Sequence, residues 1–126
     1  MRGRELGQTR RTADKLPVEI WRSVNIMTER FVYRLDWDIS KAMVNWRKHG
    51  VSFEVAATVF RDPLALSRYD AEHSQSEERW ITLGQTESGQ LVVVVHTFEE
   101  LRDEARIRII SARSASAHER RQYESS

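Results

Sequence analysis

The sequence predicts an α+β domain in which N-terminal helices pack on a mainly antiparallel sheet, with a short C-terminal helix. Three observations carry that expectation. Two helical stretches with recognisable caps occupy residues 38–50 and 52–60. Five apolar or alternating stretches, at 31–37, 64–70, 79–84, 91–98 and 106–113, have the length and bounding turns of strands. A final polar stretch, His118 to Tyr123, has helical composition.

The domain is expected to start near Phe31. Phe31, Tyr33, Leu35 and Trp37 share one parity and predict the buried face of a first strand. Asp38 is placed to cap a helix that begins near Ser40. Within it Ala42, Asn45 and Trp46 stand at helical spacing, and Gly50 should end it in a left-handed conformation. Ser52 caps a second helix, without a full capping box because Val55 occupies the third position. Phe53, Ala56, Ala57 and Phe60 mark its buried stripe, and Asp62-Pro63 stops it. Residues 71–78 read as a polar loop, and Glu87 to Gln90 as a hairpin turn with positive φ at Gly89. Leu91 to Phe98 is expected to be the most central strand, and Trp37, Trp46 and Trp80 to be core.

The chain has 126 residues, 40% of them hydrophobic and 31% charged, which suits one soluble globular domain. It has no cysteine, which excludes disulfides, thiolate metal sites and cysteine nucleophiles. The longest purely apolar run, Leu91 to Val95, falls far short of the roughly 20 residues of a membrane span. No apolar segment follows the first arginines, so no signal peptide is expected. Charge is unevenly distributed: residues 1–34 hold eight basic and four acidic groups, and residues 35–126 hold twelve and fifteen. Residues 1–30 are therefore read as a basic, flexible or loosely docked extension, in which the apolar patch Leu16 to Met27 could form a marginal helix or strand, and 31–126 as the folded domain.

No motif here specifies chemistry by itself. There is no phosphate-binding glycine loop, dinucleotide fingerprint or HExxH. The histidines at 49, 73, 96 and 118 are too scattered for a local metal pair, and the acidic loop around Glu72-His73 reads as solvated. Neither a metal nor a cofactor is expected. His96 ends an apolar strand, so two readings stand: a histidine hydrogen-bonded within the fold, or a site residue. The arginines say more. Arg106 and Arg108 share one face of the last strand, Arg113 follows at its end, and Arg79 opens the third. Paired strands would bring these guanidiniums to one surface, able to hold an RNA backbone or to stabilise a charged phosphorus centre. The alternative is an ordinary solvated face balanced by Asp103, Glu104 and Glu119. Lys48-His49 at a helix end is explained by the helix dipole, or by phosphate binding. Glu77 or Glu78 beside Arg79 could accept a proton or pair with an arginine.

In order, Asp36-Trp37-Asp38, Lys41, Asn45, Lys48-His49-Gly50-Val51, Ser52-Phe53-Glu54, Ala56-Ala57, Phe60 and Asp62-Pro63 resemble the BrnT family of toxins. The resemblance continues through Glu78-Arg79-Trp80, Leu83-Gly84, Leu91 to Thr97, Arg106 to Arg113, and Glu119, Arg120 and Tyr123. It spans roughly residues 31–124, and Met43 and Val44 depart from the smaller residues expected there. It implies a RelE-like fold and a cytoplasmic, metal-independent endoribonuclease toxin of a type II toxin–antitoxin pair. It also implies inhibition of translation by RNA cleavage, at or away from the ribosome. A BrnA-like antitoxin would neutralise the toxin, in an expected heterotetramer that contacts operator DNA only through the antitoxin. On that reading Arg79, Arg108 and Arg113 stabilise charge, and His49 or His96 is the acid or base, with Glu78 as an alternative base. Lys48, Arg106 and Arg120 bind RNA. The competing expectation is a catalytically inactive RNA- or antitoxin-binding module that acts in operon autoregulation.

Overall fold

Alternating side chains and well-placed caps set the order of elements. A computed structural model describes residues 32–126 and the backbone of residues 21–27. Its strands are β1 (Trp21–Met27), β2 (Val32–Asp38), β3 (Leu66–Tyr69), β4 (Arg79–Gln85), β5 (Leu91–Thr97), β6 (Glu99–Glu100) and β7 (Glu104–Ser114). Its α-helices are α1 (Ile39–His49), α2 (Phe53–Ala57) and α3 (Ala117–Glu124), with 3-10 turns at Thr58–Arg61 and Ala71–His73. The sheet order is β1-β2-β7-β5-β4-β3, with β6 paired to β7.

The local signals act as the sequence predicts. Asp38 accepts from Ser40 N–H and starts α1, while Gly50, at φ 69°, ends it. Ser52 accepts from Val55 N–H at the start of α2. Gly89 turns the β4–β5 hairpin at φ 90°. Ser116 and Glu119 form a reciprocal capping box on α3.

Three expectations change. The sheet is mixed: β2 runs parallel to β7, with Val32 opposite Glu104, whereas the pairs from β3 through β7 are antiparallel. The expected meander is therefore extended by a strand from the other end of the domain, and the centre of the sheet is shared by β5 and β7. A further edge strand, β1, pairs antiparallel with β2, with Trp21 opposite Asp38. That strand lies in the apolar patch that the sequence leaves open as helix or strand; residues 1–20 and 28–31 lie outside the described residues. Trp46, expected in the core, is 57% exposed.

The two sides of β5 sort the interior. Val92 and Val94 join Leu35, Trp37, Phe53, Ala56, Val59, Ile107 and Ile109 in the main core. Leu91 and Val93 join Leu83 and, from α3, Tyr123 in a second cluster. Between Val95 and His96 the β5–β7 register shifts, so that Val95 faces Ser111 and His96 faces Ile109. Ile110 is the extra residue of a bulge. Past Arg108, where its ladder with β2 ends, β7 is completed by a side chain. Asn45 of α1 is buried; its Nδ2 donates to Ala112 O (2.8 Å) and Val51 O (3.1 Å), and its Oδ1 accepts from Ala112 N–H (3.1 Å).

Candidate active site

The side of the sheet opposite the main core carries the charge. Arg79 at the start of β4 pairs in register with Thr97 of β5. Thr97 Oγ1 in turn accepts from the backbone N–H of Arg108 on β7 (3.0 Å). A small side chain thus separates two guanidiniums on one face. Glu77, from the loop before β4, reaches both: Arg108 Nη2 donates to its carboxylate, and Arg79 Nη2 lies 3.7 Å from it. The three side chains are 20–33% exposed, so their interaction is less screened than that of a surface pair. The Nε–H of Arg79 is buried without a hydrogen-bond partner.

On the β2 side Asp36 stands in register with Arg108, and Arg34 with Arg106. Burial raises the Asp36 carboxyl above its usual range, while the Arg108 and Arg106 guanidiniums act in the opposite sense. Arg106 itself is exposed, and Arg34 is paired with Glu104 at 2.7 Å.

Arg113 lies on the same face because the bulge at Ile110 shifts the alternation. It stands five residues beyond Arg108, about 15 Å along the strand. Its fork is taken up by Glu119, with both contacts at 2.8 Å. That pairing pushes Glu119 down to about 2 and raises Arg113. The expected surface of Arg79, Arg108 and Arg113 thus divides into a close pair sharing Glu77 and a third arginine tied to α3.

The remaining expected residues fall elsewhere. Lys48 and His49 are exposed at the end of α1 and make no hydrogen bond or ion pair with Arg79, Glu77 or Arg108. Arg120 is exposed on α3. Glu78 is half-buried and makes no hydrogen bond or ion pair among the described residues, so of the two adjacent glutamates Glu77 occupies the cluster. Sequence reasoning passed over Asp36, although its parity, opposite to that of Leu35 and Trp37, placed it on the polar face of its strand. It also set aside the 71–78 loop as solvated, and read Asp70 as the end of a strand. There Asp70 is buried and holds the exposed His73 through Nδ1 at 3.0 Å.

A family model described as the ribonuclease toxin BrnT of type II toxin–antitoxin systems matches residues 37–119. The chain belongs to the BrnT family. The matched span includes Glu77, Arg79, His96, Arg108 and Arg113, and stops short of β1, Asp36 and Arg120. This chain is similar to the crystal structure of the Brucella abortus ribonuclease toxin BrnT, with 23% identity and a TM-score of 0.42. The alignment covers 64% of this chain and 92% of that one. No curated protein matches. Among the described residues no group of three or more His, Asp or Glu could hold a metal ion, and no helix is long and apolar enough to cross a membrane.

His96 of this BrnT-family chain lies in the interior. It is fully buried and edge-on to the Phe60 ring at 4.9 Å. Its Nδ1–H donates to Thr97 O (2.8 Å), and Nε2 accepts from Thr82 Oγ1 (2.7 Å). With both nitrogens engaged, it has no free atom for a substrate. Burial depresses its pKa to about 4. The unfolded chain binds the proton near 6.5, so stability is fully present above that pH and is lost as pH falls towards 4. We predict a loss of about 3 kcal/mol across this window, read from urea unfolding at pH 7.5, 6 and 4.5. In His96→Gln the portion of the loss above the carboxylate range should vanish. An unchanged slope there would show that His96 is not its source.

Proposed function

We propose that this BrnT-family toxin is a metal-independent endoribonuclease that cuts RNA at the face carrying Arg79 and Arg108. One observation carries the reading: two partly buried guanidiniums flank Thr97 and share the carboxylate of Glu77. A phosphodiester held by the two forks would gain charge as its phosphorus becomes five-coordinate, and fixed cations stabilise that state. Glu77, beside the same forks, is suited to take the 2′-hydroxyl proton. Arg106 widens the cationic surface, and Lys48 and Arg120 are more distant backbone contacts. Arg113 and His96 are structural in this reading, and His49 and Glu78 carry no catalytic role.

The fold is assigned to the RelE type, on the basis of its antiparallel β3-β4-β5-β7 strands beside N-terminal helices. The toxin acts in the cytoplasm and inhibits translation by cutting RNA. A BrnA-like antitoxin neutralises it in a heterotetramer, and operator DNA is contacted through that antitoxin. A protein partner has an obvious surface. Met43, Val44 and Trp46 of α1 are 54%, 57% and 57% exposed, beside a groove of about 300 Å³ lined by Trp37, Ile39, Phe53 and Glu54.

The test is cleavage of purified RNA by the isolated toxin. Cleavage should persist in EDTA, and Glu77→Gln should slow it by about 10²-fold or more. Binding without cleavage would overturn the nuclease reading. In cells, growth arrest on expression should be relieved by the product of the neighbouring gene. Trp46→Ala should weaken that partner by at least about tenfold in calorimetry and leave RNA cleavage unchanged. Unaltered affinity would remove α1 from the partner interface.

A further inference from the structure

The loop between β3 and β4 is tied to the first arginine of the site. Asp70 N–H donates to Arg79 O (2.8 Å), and Ser74 Oγ donates to Asp70 O (2.6 Å). Arg79 N–H then donates to Ser74 Oγ (3.0 Å). Tyr69 pairs with Trp80, whose side chain joins the main core, so the next positions, Asp70 and Arg79, fall on the arginine side. The Asp70 side chain is only 11% exposed, and its two oxygens lie 3.0 and 3.2 Å from Nδ1 of His73. The His73 side chain is 64% exposed. A buried carboxylate on Nδ1 holds the ring in one orientation, and when the ring carries a second proton that proton sits on Nε2 of this exposed side chain. The same loop ends at Glu77, the carboxylate shared by Arg79 and Arg108.

We propose that His73, oriented by Asp70, is a catalytic residue of RNA cleavage and protonates the departing 5′-oxygen. The assignment rests on the reading that Arg79 and Arg108 hold the scissile phosphate. Glu77 takes the proton of the 2′-hydroxyl as O2′ bonds to phosphorus. The P–O5′ bond then breaks, and O5′ receives the Nε2 proton of His73. The products are a 2′,3′-cyclic phosphate and a 5′-hydroxyl. Glu77 then returns its proton to solvent and His73 regains one, so no co-reactant is consumed. The substrate must be RNA, because the nucleophile is its own 2′-hydroxyl. Asp70 is a positioning residue. The charged group in contact with the imidazole is Asp70, whose backbone N–H is tied to Arg79 O.

The test compares a short RNA containing one cleavable linkage with its analogue in which sulfur replaces the bridging 5′-oxygen. A thiolate departs without a proton, so the analogue needs no acid. The parent toxin and His73→Ala are assayed on both after thermal melts confirm that the exposed substitution leaves the fold intact. His73→Ala should lose about 10²- to 10⁴-fold on the oxygen linkage and stay within about tenfold of the parent on the sulfur linkage. Asp70→Asn should fall between them on oxygen and match the parent on sulfur. Equal cleavage of the oxygen linkage by His73→Ala and the parent would overturn the assignment and leave the nuclease standing. An equal loss on both linkages would also overturn it, because that pattern marks a structural role. A parent toxin that cuts neither substrate would overturn the nuclease reading, and this assignment with it.

Discussion

Replacing Arg108 by alanine is expected to slow RNA cleavage by about 10²- to 10³-fold, the usual loss when one preorganised charge-stabilising donor is removed. Arg108 is suited to so large an effect. Its side chain is 20% exposed, it donates to Glu77, and its backbone N–H is held by Thr97. Its removal withdraws a cation from the phosphate and leaves Glu77 with Arg79 alone. Arg108→Lys should recover part of the rate, because an ammonium keeps the charge and loses the planar fork. Arg79→Ala should resemble Arg108→Ala, and the double variant should lose less than the product of the two, since both act on one charge. Arg113→Ala is the control: its fork belongs to Glu119, so it should leave cleavage near the parent rate. It should cost at most about 1 kcal/mol of stability, as expected for a largely exposed pair. Single-turnover rates at saturating toxin report the chemical step. Parent-like rates in both Arg79→Ala and Arg108→Ala would refute the site.

Asn45→Ala should destabilise the domain by several kcal/mol, on the order of 3–5, without touching the arginine face. The wild-type amide serves three buried backbone groups: the N–H and C=O of Ala112 and the C=O of Val51. Alanine would leave each without a partner, at about 1–3 kcal/mol apiece before any water enters. Asn45→Asp tests the mechanism separately. It keeps the acceptor for Ala112 N–H and loses both donations, placing a carboxylate against two carbonyl oxygens, so it should be no better than alanine. Chemical denaturation with an unchanged m-value is the measurement. A loss below about 1 kcal/mol would mean that the edge of β7 finds other partners.

Features set by neighbouring residues were legible in the sequence. Asp38, Gly50, Ser52 and Gly89 act through their own backbone and the next few residues, and each does what its chemistry predicts. The parallel pairing of β2 with β7 was not legible, because alternation reports which face a strand buries and says nothing of its direction or distant neighbour. Trp46 misled for a related reason. Helical spacing marks a stripe, but α1 inserts only Asn45 fully, against an edge of β7 already supplied with small side chains, and Trp46 next to it points outward. Glu77 and Glu78 are chemically identical neighbours, and only the path of the loop into β4 decides which one meets the arginines. His96 was half legible. Its parity matches that of Val92 and Val94, but its partners, Thr82 on one nitrogen and a backbone carbonyl on the other, come from the pairing of β4 and β5 and a local turn of the main chain.

The pairing of β2 with β7 has a kinetic consequence. Residues 32 and 104 become neighbours only after the whole intervening segment has been placed, and such non-local contacts slow folding into the millisecond-to-second range. From this sequence separation, Asp36 and Arg34 are expected to reach Arg108 and Arg106 later than the β3-β4-β5 hairpins form. A partner that binds α1, whose helix forms from local signals, would meet its surface before the β2 edge of the sheet is in place.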